Sequence, residues 1–370
     1  MENETQPLLE EYQLGNLMLK NRVVMASMTR GRATNTGLVP TALMAEYYAQ
    51  RASAGLILSE GTWVSPDAIG FINVPGIYTQ EQIQGWKQVT QAIHDNDGLI
   101  FLQLGHIGSA SHPDFFDGAL PAGPSAVNPQ KQCYTPDGFK DTLTPRAFIT
   151  EEIKQTILDY RQAAQNAKDA GFDGVEIHAQ AGMLIPQFLS LATNKRTDQY
   201  GGSIENRARI IFEIIDVIME VWESSRIAIK FTPVMYSHVG IVTPDEETIP
   251  MFQYILKKLN DYNLAFLHIV GPADDLTGTP VEILQDDYFS HFRAHYKGRL
   301  IANLGFTQES GNAILKRNAA DLVSFGTPFI ANPDLVERFA SNLPLSETNP
   351  DSLYAGEEQG YTDYPTAVQK

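Results

Sequence analysis

Three features that this sequence lacks narrow its possible functions. It contains a single cysteine, Cys133, so the chain can form no internal disulfide, and the Cys-based spacings of zinc sites are absent. No run approaches the ~18 consecutive apolar residues that span a bilayer. No Lys- or Arg-rich run occurs along the chain either. We therefore expect neither a metal site nor a membrane-spanning segment.

The charge balance is strongly acidic. The 27 Lys and Arg residues face 44 Asp and Glu residues, a formal net charge of −17, which repels nucleic acid and anionic membranes. Residues 1–13 are polar and acidic and have no positively charged, apolar leader of the secretory kind. We expect a cytoplasmic protein that binds neither nucleic acid nor membrane. Its oligomeric state cannot be inferred from composition.

Short apolar runs alternate with longer segments of helical period, which is typical of repeated βα units. The runs are residues 23–27, 55–59, 99–104, 175–178, 227–231, 266–270, 300–302 and 322–325. The helical candidates between them include 80–94, 151–170, 204–221, 246–262 and 308–316. Eight such units predict a single (β/α)8 TIM barrel in which residues 1–370 form one domain.

One connection is too long for an ordinary loop of a barrel. Residues 105–146 follow the third run and are rich in Gly, Pro, Ser and Asp. Loops longer than about 15 residues in compact domains are usually functional or disordered. Because active sites of TIM barrels lie at the C-terminal ends of the strands, we predict that this insertion caps the site.

Several segments together resemble the old yellow enzyme family of flavin-dependent ene-reductases. They are NRVVMA at 21–26, PGIY at 75–78, GFDGVEIH at 171–178, NKRTDQYGGSIENR at 194–207, PFIANPDL at 328–335 and GYTDYP at 360–365. They occur in family order along nearly the whole chain. The resemblance implies the barrel fold, and implies chemistry in which NADPH reduces FMN and FMN reduces an alkene activated by a carbonyl.

The resemblance implies that some cofactor positions are retained. Thr29 matches the threonine that contacts the carbonyl edge of the flavin, and Gln103 matches the glutamine that contacts its pyrimidine ring. Lys230 stands where the family has an arginine near flavin N1, which keeps the charge but loses the bidentate geometry.

The phosphate positions depart from the family pattern. Leu304 precedes Gly305 in what is a glycine-rich turn in the family, and Thr327 follows Gly326 where the family has an arginine. The two changes should cost about 3–6 kcal/mol, since each removes an interaction of the order of a charged hydrogen bond. We therefore expect FMN to bind weakly or not at all.

The substrate positions change further. In the family, a histidine and a second donor three residues later bind the substrate carbonyl, and a tyrosine two residues beyond donates a proton. Here His178 is kept, but Ala181 and Met183 occupy the other two places. Methionine cannot donate a proton.

Four further residues are expected to shape the pocket. Gly105 replaces a tryptophan of the family and Gly61 an alanine beneath the flavin, and both changes should widen the cavity. Tyr236 and Tyr361 are expected to line it. A wide pocket predicts a bulky small-molecule substrate.

Three hypotheses for the function follow. The first is a non-reducing isomerase, epimerase or cyclase that acts on a bulky carbonyl-containing secondary metabolite with His178 and Lys230 as catalytic groups. The alternative is an FMN-dependent, NADPH-consuming ene-reductase of an α,β-unsaturated carbonyl compound. The third is a catalytically silent binding protein. NADPH is needed only by the ene-reductase.

Overall fold

The computed structural model describes residues 6–180, 182–234, 244–354 and 356–367. Within these residues, eight parallel strands form a closed barrel: β1 Val23–Met25, β2 Leu56–Trp63, β3 Ile100–Gly105, β4 Gly174–Ala179, β5 Ile227–Phe231, β6 Phe266–Val270, β7 Leu300–Asn303 and β8 Leu322–Phe325. Each strand pairs with the next along the chain, and β8 pairs with β1. Every predicted run corresponds to one strand, so the predicted TIM barrel is confirmed.

The helices pack around the barrel. The described part of the chain contains α1 Ala42–Ala49, α2 Gln80–His94, α3 Thr150–Asp169, α4 Leu184–Leu189, α5 Ile204–Met219, α6 Thr248–Leu259, α7 Tyr288–His295, α8 Gln308–Lys316, α9 Thr327–Ala331 and α10 Leu335–Ser341. A capping box begins α2. The Thr79 hydroxyl accepts a hydrogen bond from the backbone N–H of Gln82, and the side-chain oxygen of Gln82 accepts one from the backbone N–H of Thr79. None of the described helices is long and apolar enough to cross a membrane.

A hairpin closes the N-terminal end of the barrel. Its strands, Tyr12–Leu14 and Leu17–Leu19, pair antiparallel. Their leucines pack in one hydrophobic cluster with inward-facing residues of the barrel strands. Phe101 and Phe266 stack there with ring centroids 5.7 Å apart. Because this end is filled with apolar side chains, the opposite end is the one open to a ligand.

The predicted insertion after β3 does lie at that opposite end. It contains a hairpin formed by Gln132–Thr135 and Gly138–Asp141. The ring of Tyr134 packs against Phe71, with centroids 5.2 Å apart, just after β2. The Ser109 amide donates to Gln187 Oε1 at 2.9 Å, in α4 just after β4. These contacts place the insertion at the C-terminal ends of the strands, as expected. That residues 1–370 form a single domain stays a prediction.

Candidate active site

A cavity of about 970 Å³ opens at the C-terminal ends of the barrel strands. Pockets that bind small molecules measure roughly 300–1,000 Å³, so this one is large. Its walls come from the segments that follow β1, β7 and β8 and from residues 345–354. Four of the predicted cofactor residues line it: Thr29, Lys230, Gly305 and Gly326.

A chain of hydrogen bonds crosses the barrel interior beneath the cavity. Gln103 Nε2 donates to Ser27 Oγ at 2.6 Å and to Glu176 Oε1 at 2.7 Å. The other oxygen of Glu176 lies 2.8 Å from His268 Nδ1, and His268 Nε2 lies 2.8 Å from Ser324 Oγ. The predicted cofactor residue Gln103 therefore reaches the cavity floor through Ser27, which lines the cavity itself.

The ionisation states in this network follow from burial and charge. Burial, together with the charge of Lys230, lowers the pKa of His268 to about 4, so the imidazole is neutral. Burial alone would raise the pKa of Glu176, but the groups around it, which include His268, Lys230 and Gln103, outweigh burial and lower that pKa. Glu176 is therefore a carboxylate near neutral pH, and it accepts a hydrogen bond from His268 Nδ1–H.

Lys230 is the cation of the cavity floor. Its side chain is buried, and Nζ donates to Ser27 Oγ at 3.2 Å. Burial lowers its pKa to about 8, while the carboxylate of Glu176 acts in the opposite direction. The ammonium group is therefore mostly charged at neutral pH and faces a space that an anionic or acceptor-rich ligand can fill.

The turn after β7 keeps a glycine-like backbone although it contains a leucine. The φ angle of Leu304 is +90° and that of Gly305 is +73°. A side chain in this region costs on the order of 1–3 kcal/mol. The Leu304 side chain is 43% exposed and lines the cavity. The turn has therefore kept its backbone conformation at the cost of strain.

The segment after β8 supplies no charged group from position 327. Thr327 begins α9 and is neutral. Among the described residues that line the cavity, the cationic side chains are those of Arg30 and Lys230. The Arg30 guanidinium is already engaged by Tyr47 and by the carbonyl oxygens of Leu353 and Gly360.

His178 lies at the end of β4, beside the cavity. Its Nε2 is 3.1 Å from Gln180 Oε1, and Gln180 lines the cavity. The Nδ1 atom is buried and has no hydrogen-bond partner among the described residues. Burial, aided by the charge of Lys230, lowers the His178 pKa to about 3. The imidazole is therefore neutral and donates one N–H bond.

Two glycines make room for this imidazole. A Cβ atom at Gly61 would lie 3.2 Å from His178 Nδ1, and one at Gly105 would lie 3.4 Å from it. The same Cβ at Gly105 would lie 3.3 Å from Met183 Cε. Met183 therefore fills part of the space that we expected Gly105 to leave open, so the widening is smaller than predicted.

The structure places Tyr361 away from the cavity, contrary to our expectation. Its ring is fully buried and stacks on Tyr47, with centroids 4.0 Å apart and planes at 6°. The guanidinium groups of Arg30 and Arg32 lie 5.1 and 4.8 Å from the ring centroid. Tyr361 is therefore a packing residue, and its ring contacts both guanidinium groups. The other two predicted substrate residues, Ala181 and Tyr236, lie outside the described residues.

Sequence reasoning missed three members of the site: Ser27, Glu176 and His268. An acid and a histidine in the middle of buried strands are a usable signal, because buried polar groups need partners. Ser27 gives no such signal, since a single serine at the end of an apolar run is ordinary.

The chain matches known proteins over most of its length. Residues 7–346 match the family model described as NADH:flavin oxidoreductase / NADH oxidase family. The chain is 39% identical over 363 residues to 12-oxophytodienoate reductase 1 of Oryza sativa subsp. japonica, covering 97% of this chain and 93% of that protein. It is 38% identical to the flavin oxidoreductase hxnT of Emericella nidulans, covering 98% of both.

A solved structure is similar as well. Morphinone reductase superposes with a TM-score of 0.91 at 44% identity, covering 99% of this chain and 98% of that one. A variant of the same enzyme was solved in complex with tetrahydroNAD, with a TM-score of 0.91 at 45% identity and 98% coverage of both chains.

These relatives correct our first functional hypothesis. Their names are those of reductases and flavin oxidoreductases, so the expectation of a non-reducing isomerase, epimerase or cyclase is wrong, and the ene-reductase alternative is favoured. The substitutions at positions 181 and 183 were the basis of that expectation, and they do not place the chain outside a family of reductases. By its sequence over residues 7–346 and by its barrel, the chain belongs to the NADH:flavin oxidoreductase / NADH oxidase family, the old yellow enzymes.

Proposed function

We propose that this protein is an FMN-dependent, NAD(P)H-consuming reductase of carbon–carbon double bonds conjugated to a carbonyl group. The observation that carries the proposal is the cavity at the barrel top, whose floor presents the buried cation Lys230 beside Ser27 and Gln103, with His178 adjacent. The reductase names of the similar proteins support it.

The chemistry of the donor set fits the ring end of FMN. Both N–H bonds of the Gln103 amide are committed, to Ser27 and to Glu176, so Oε1 is what remains for a ligand. Thr29 and Lys230 add a hydroxyl and an ammonium to the cavity wall. One acceptor flanked by donors complements the edge of the flavin pyrimidine ring, an N–H between two carbonyl oxygens. FMN, when bound there, supplies the hydride that it receives from reduced nicotinamide.

His178 is suited to hold the substrate. The one N–H of the neutral imidazole faces Gln180 Oε1 at 3.1 Å. A substrate carbonyl oxygen that takes the place of this amide oxygen accepts the same hydrogen bond, which withdraws electron density from the conjugated double bond. Its low pKa keeps it neutral throughout the working pH range. Met183 cannot supply the proton that completes the reduction, so we propose that water supplies it. The substrate is a small carbonyl compound, and the size of the cavity favours a bulky one.

The function is tested by recording the visible spectrum of the purified chain with added FMN, then following NADPH oxidation with a simple cyclic enone. The proposal expects flavin absorbance that stays with the protein, and a product two mass units heavier than the enone that forms only when NADPH is present. Absence of flavin binding at millimolar FMN would overturn it.

The phosphate end of FMN is expected to be held weakly. The double variant Leu304→Gly, Thr327→Arg should bind FMN about 10- to 150-fold more tightly, since a charged hydrogen bond is worth about 1.5–3 kcal/mol. Glycine also relieves the strain at φ +90°. Dissociation constants from quenching of flavin fluorescence give the comparison. The control is Leu304→Gly, Thr327→Gln, which lacks the new charge. An unchanged affinity in the arginine variant would show that main-chain groups already hold the phosphate fully.

Flavin affinity is expected to fall as the pH rises through about 8. A lysine whose pKa is lowered to about 8 is cationic below that pH and neutral above it. If the ammonium holds the acceptor edge of the ring, affinity should be flat from pH 6 to 7.5 and then decrease by up to about tenfold per pH unit. Titrations of FMN at each pH measure this. The Lys230→Arg variant should remove the dependence, because arginine stays charged. A wild-type profile flat to pH 10 would contradict the role of Lys230.

A further inference from the structure

Ser27 lies where the two polar groups of the cavity floor meet. Lys230 Nζ lies 3.2 Å from Ser27 Oγ, and Gln103 Nε2 lies 2.6 Å from the same oxygen. Both nitrogens are hydrogen-bond donors. A serine oxygen has two lone pairs and one proton, so the two incoming bonds use all of its accepting capacity.

The directions of these bonds are fixed by the neighbours. Glu176 is a carboxylate, which can only accept, and it lies 2.7 Å from the same Gln103 nitrogen. The amide must therefore present its N–H bonds to Glu176 and Ser27, and its oxygen is turned elsewhere. An ammonium group cannot accept a hydrogen bond. Neither neighbour is able to take the proton of the Ser27 hydroxyl.

Ser27 is also accessible from the cavity. It follows β1, and residues 26–30 form one wall of the cavity. We propose that Ser27 is a ligand-binding residue whose hydroxyl donates a hydrogen bond into the cavity, to an acceptor on the edge of the bound ring. The inference rests on the proposed function, under which that acceptor is a carbonyl oxygen of the flavin pyrimidine ring.

The same geometry explains how a lysine serves at position 230. A lysine ammonium is a point charge on a flexible stem and gives little direction to a ligand. Here Ser27 holds Nζ at one hydrogen-bond distance and supplies a directed O–H bond beside it. Lys230 thus supplies the positive charge, and Ser27 supplies the directed hydrogen bond.

The test compares FMN binding to the wild-type chain with three variants, by fluorescence titration, after a thermal melt shows that each is folded. Ser27→Ala should bind FMN about three- to tenfold more weakly, the range of one neutral hydrogen bond. Ser27→Thr keeps the hydroxyl and should stay within about twofold. The matched control is Ser59→Ala, because Ser59 Oγ accepts from the backbone N–H of Gln103 in the barrel wall and Ser59 does not line the cavity. Its affinity should not change.

A second titration uses FMN analogues in which sulfur replaces the carbonyl oxygen at C2 or at C4, because sulfur is a poor acceptor. The wild-type chain should bind one of the two more weakly than FMN, and Ser27→Ala should lose that discrimination. Equal FMN affinity in Ser27→Ala and wild type, or discrimination that survives in Ser27→Ala, overturns the inference while the proposed function stands. A wild-type chain that binds no FMN overturns both.

Discussion

The Glu176→Ala variant is expected to lose about 3–5 kcal/mol of unfolding free energy, the usual cost of removing one partner from a buried charged network. The carboxylate holds His268 at 2.8 Å and Gln103 at 2.7 Å, and it is the charge that opposes Lys230 within the barrel. Its removal takes one hydrogen-bond partner from His268 and one from Gln103, and it leaves the buried cation of Lys230 without its opposing charge. Urea unfolding followed by tryptophan fluorescence measures the change.

The control for this variant is Glu176→Gln, which keeps the size of the side chain and one acceptor oxygen. It should lose less, about 1–3 kcal/mol, because one of the two donors then faces an amide nitrogen. It should also shift the pH at which FMN affinity falls to a lower value, since Lys230 loses its opposing charge. A Glu176→Ala protein as stable as wild type would show that the network contributes little to folding.

Enone reduction should fall by about 10²- to 10³-fold in kcat/KM when His178 is replaced by alanine, the usual effect of removing one oxyanion donor. The imidazole is neutral, its Nε2–H faces Gln180 Oε1 at the cavity, and the second donor of the family is absent at position 181. Under the proposed function, this one donor carries the role that the family resemblance divides between two. Steady-state kinetics on a cyclic enone measure the loss.

The variant His178→Asn separates donation from packing, because an asparagine keeps one N–H donor and should recover part of the rate. FMN affinity should be unchanged in both variants, which confines the effect to the substrate. The activity should show no titration near pH 6.5, because the His178 pKa is about 3. An alanine variant as fast as wild type would remove His178 from the mechanism.

The strands were predictable because each is a short apolar run buried on both faces of the sheet. Helices α2 and α8 were predicted to the residue from their helical period, and a capping box begins each of them. The short helices α4 and α9, of 6 and 5 residues, were not predicted, since fewer than two turns leave no period to detect.

The site was predictable only in part. The match to the family pattern named Thr29, Lys230, Gly305 and Gly326 as cofactor positions, and all four line the cavity. It gave no warning that Met183 would fill the space beside Gly105, because that contact joins the end of β3 to the segment that follows β4. The prediction for Tyr361 was wrong for the same reason. An aromatic residue in such a segment can line a pocket or pack beneath it, and which of the two occurs depends on tertiary contacts that the sequence does not show.

The hydrogen bond between Arg30 and Gly360 constrains the order in which parts of this protein fold during its synthesis. The Arg30 guanidinium donates to the Gly360 carbonyl oxygen, 330 residues later in the chain. At about 5–20 residues per second, roughly 15–65 s of synthesis separate the two partners. The segment after β1, which forms one wall of the cavity, therefore waits until Gly360 has been synthesised before its arginine has all of its partners. The barrel strands, the last of which ends at Phe325, can pair beforehand, so this part of the rim of the cavity reaches its final state after the barrel does.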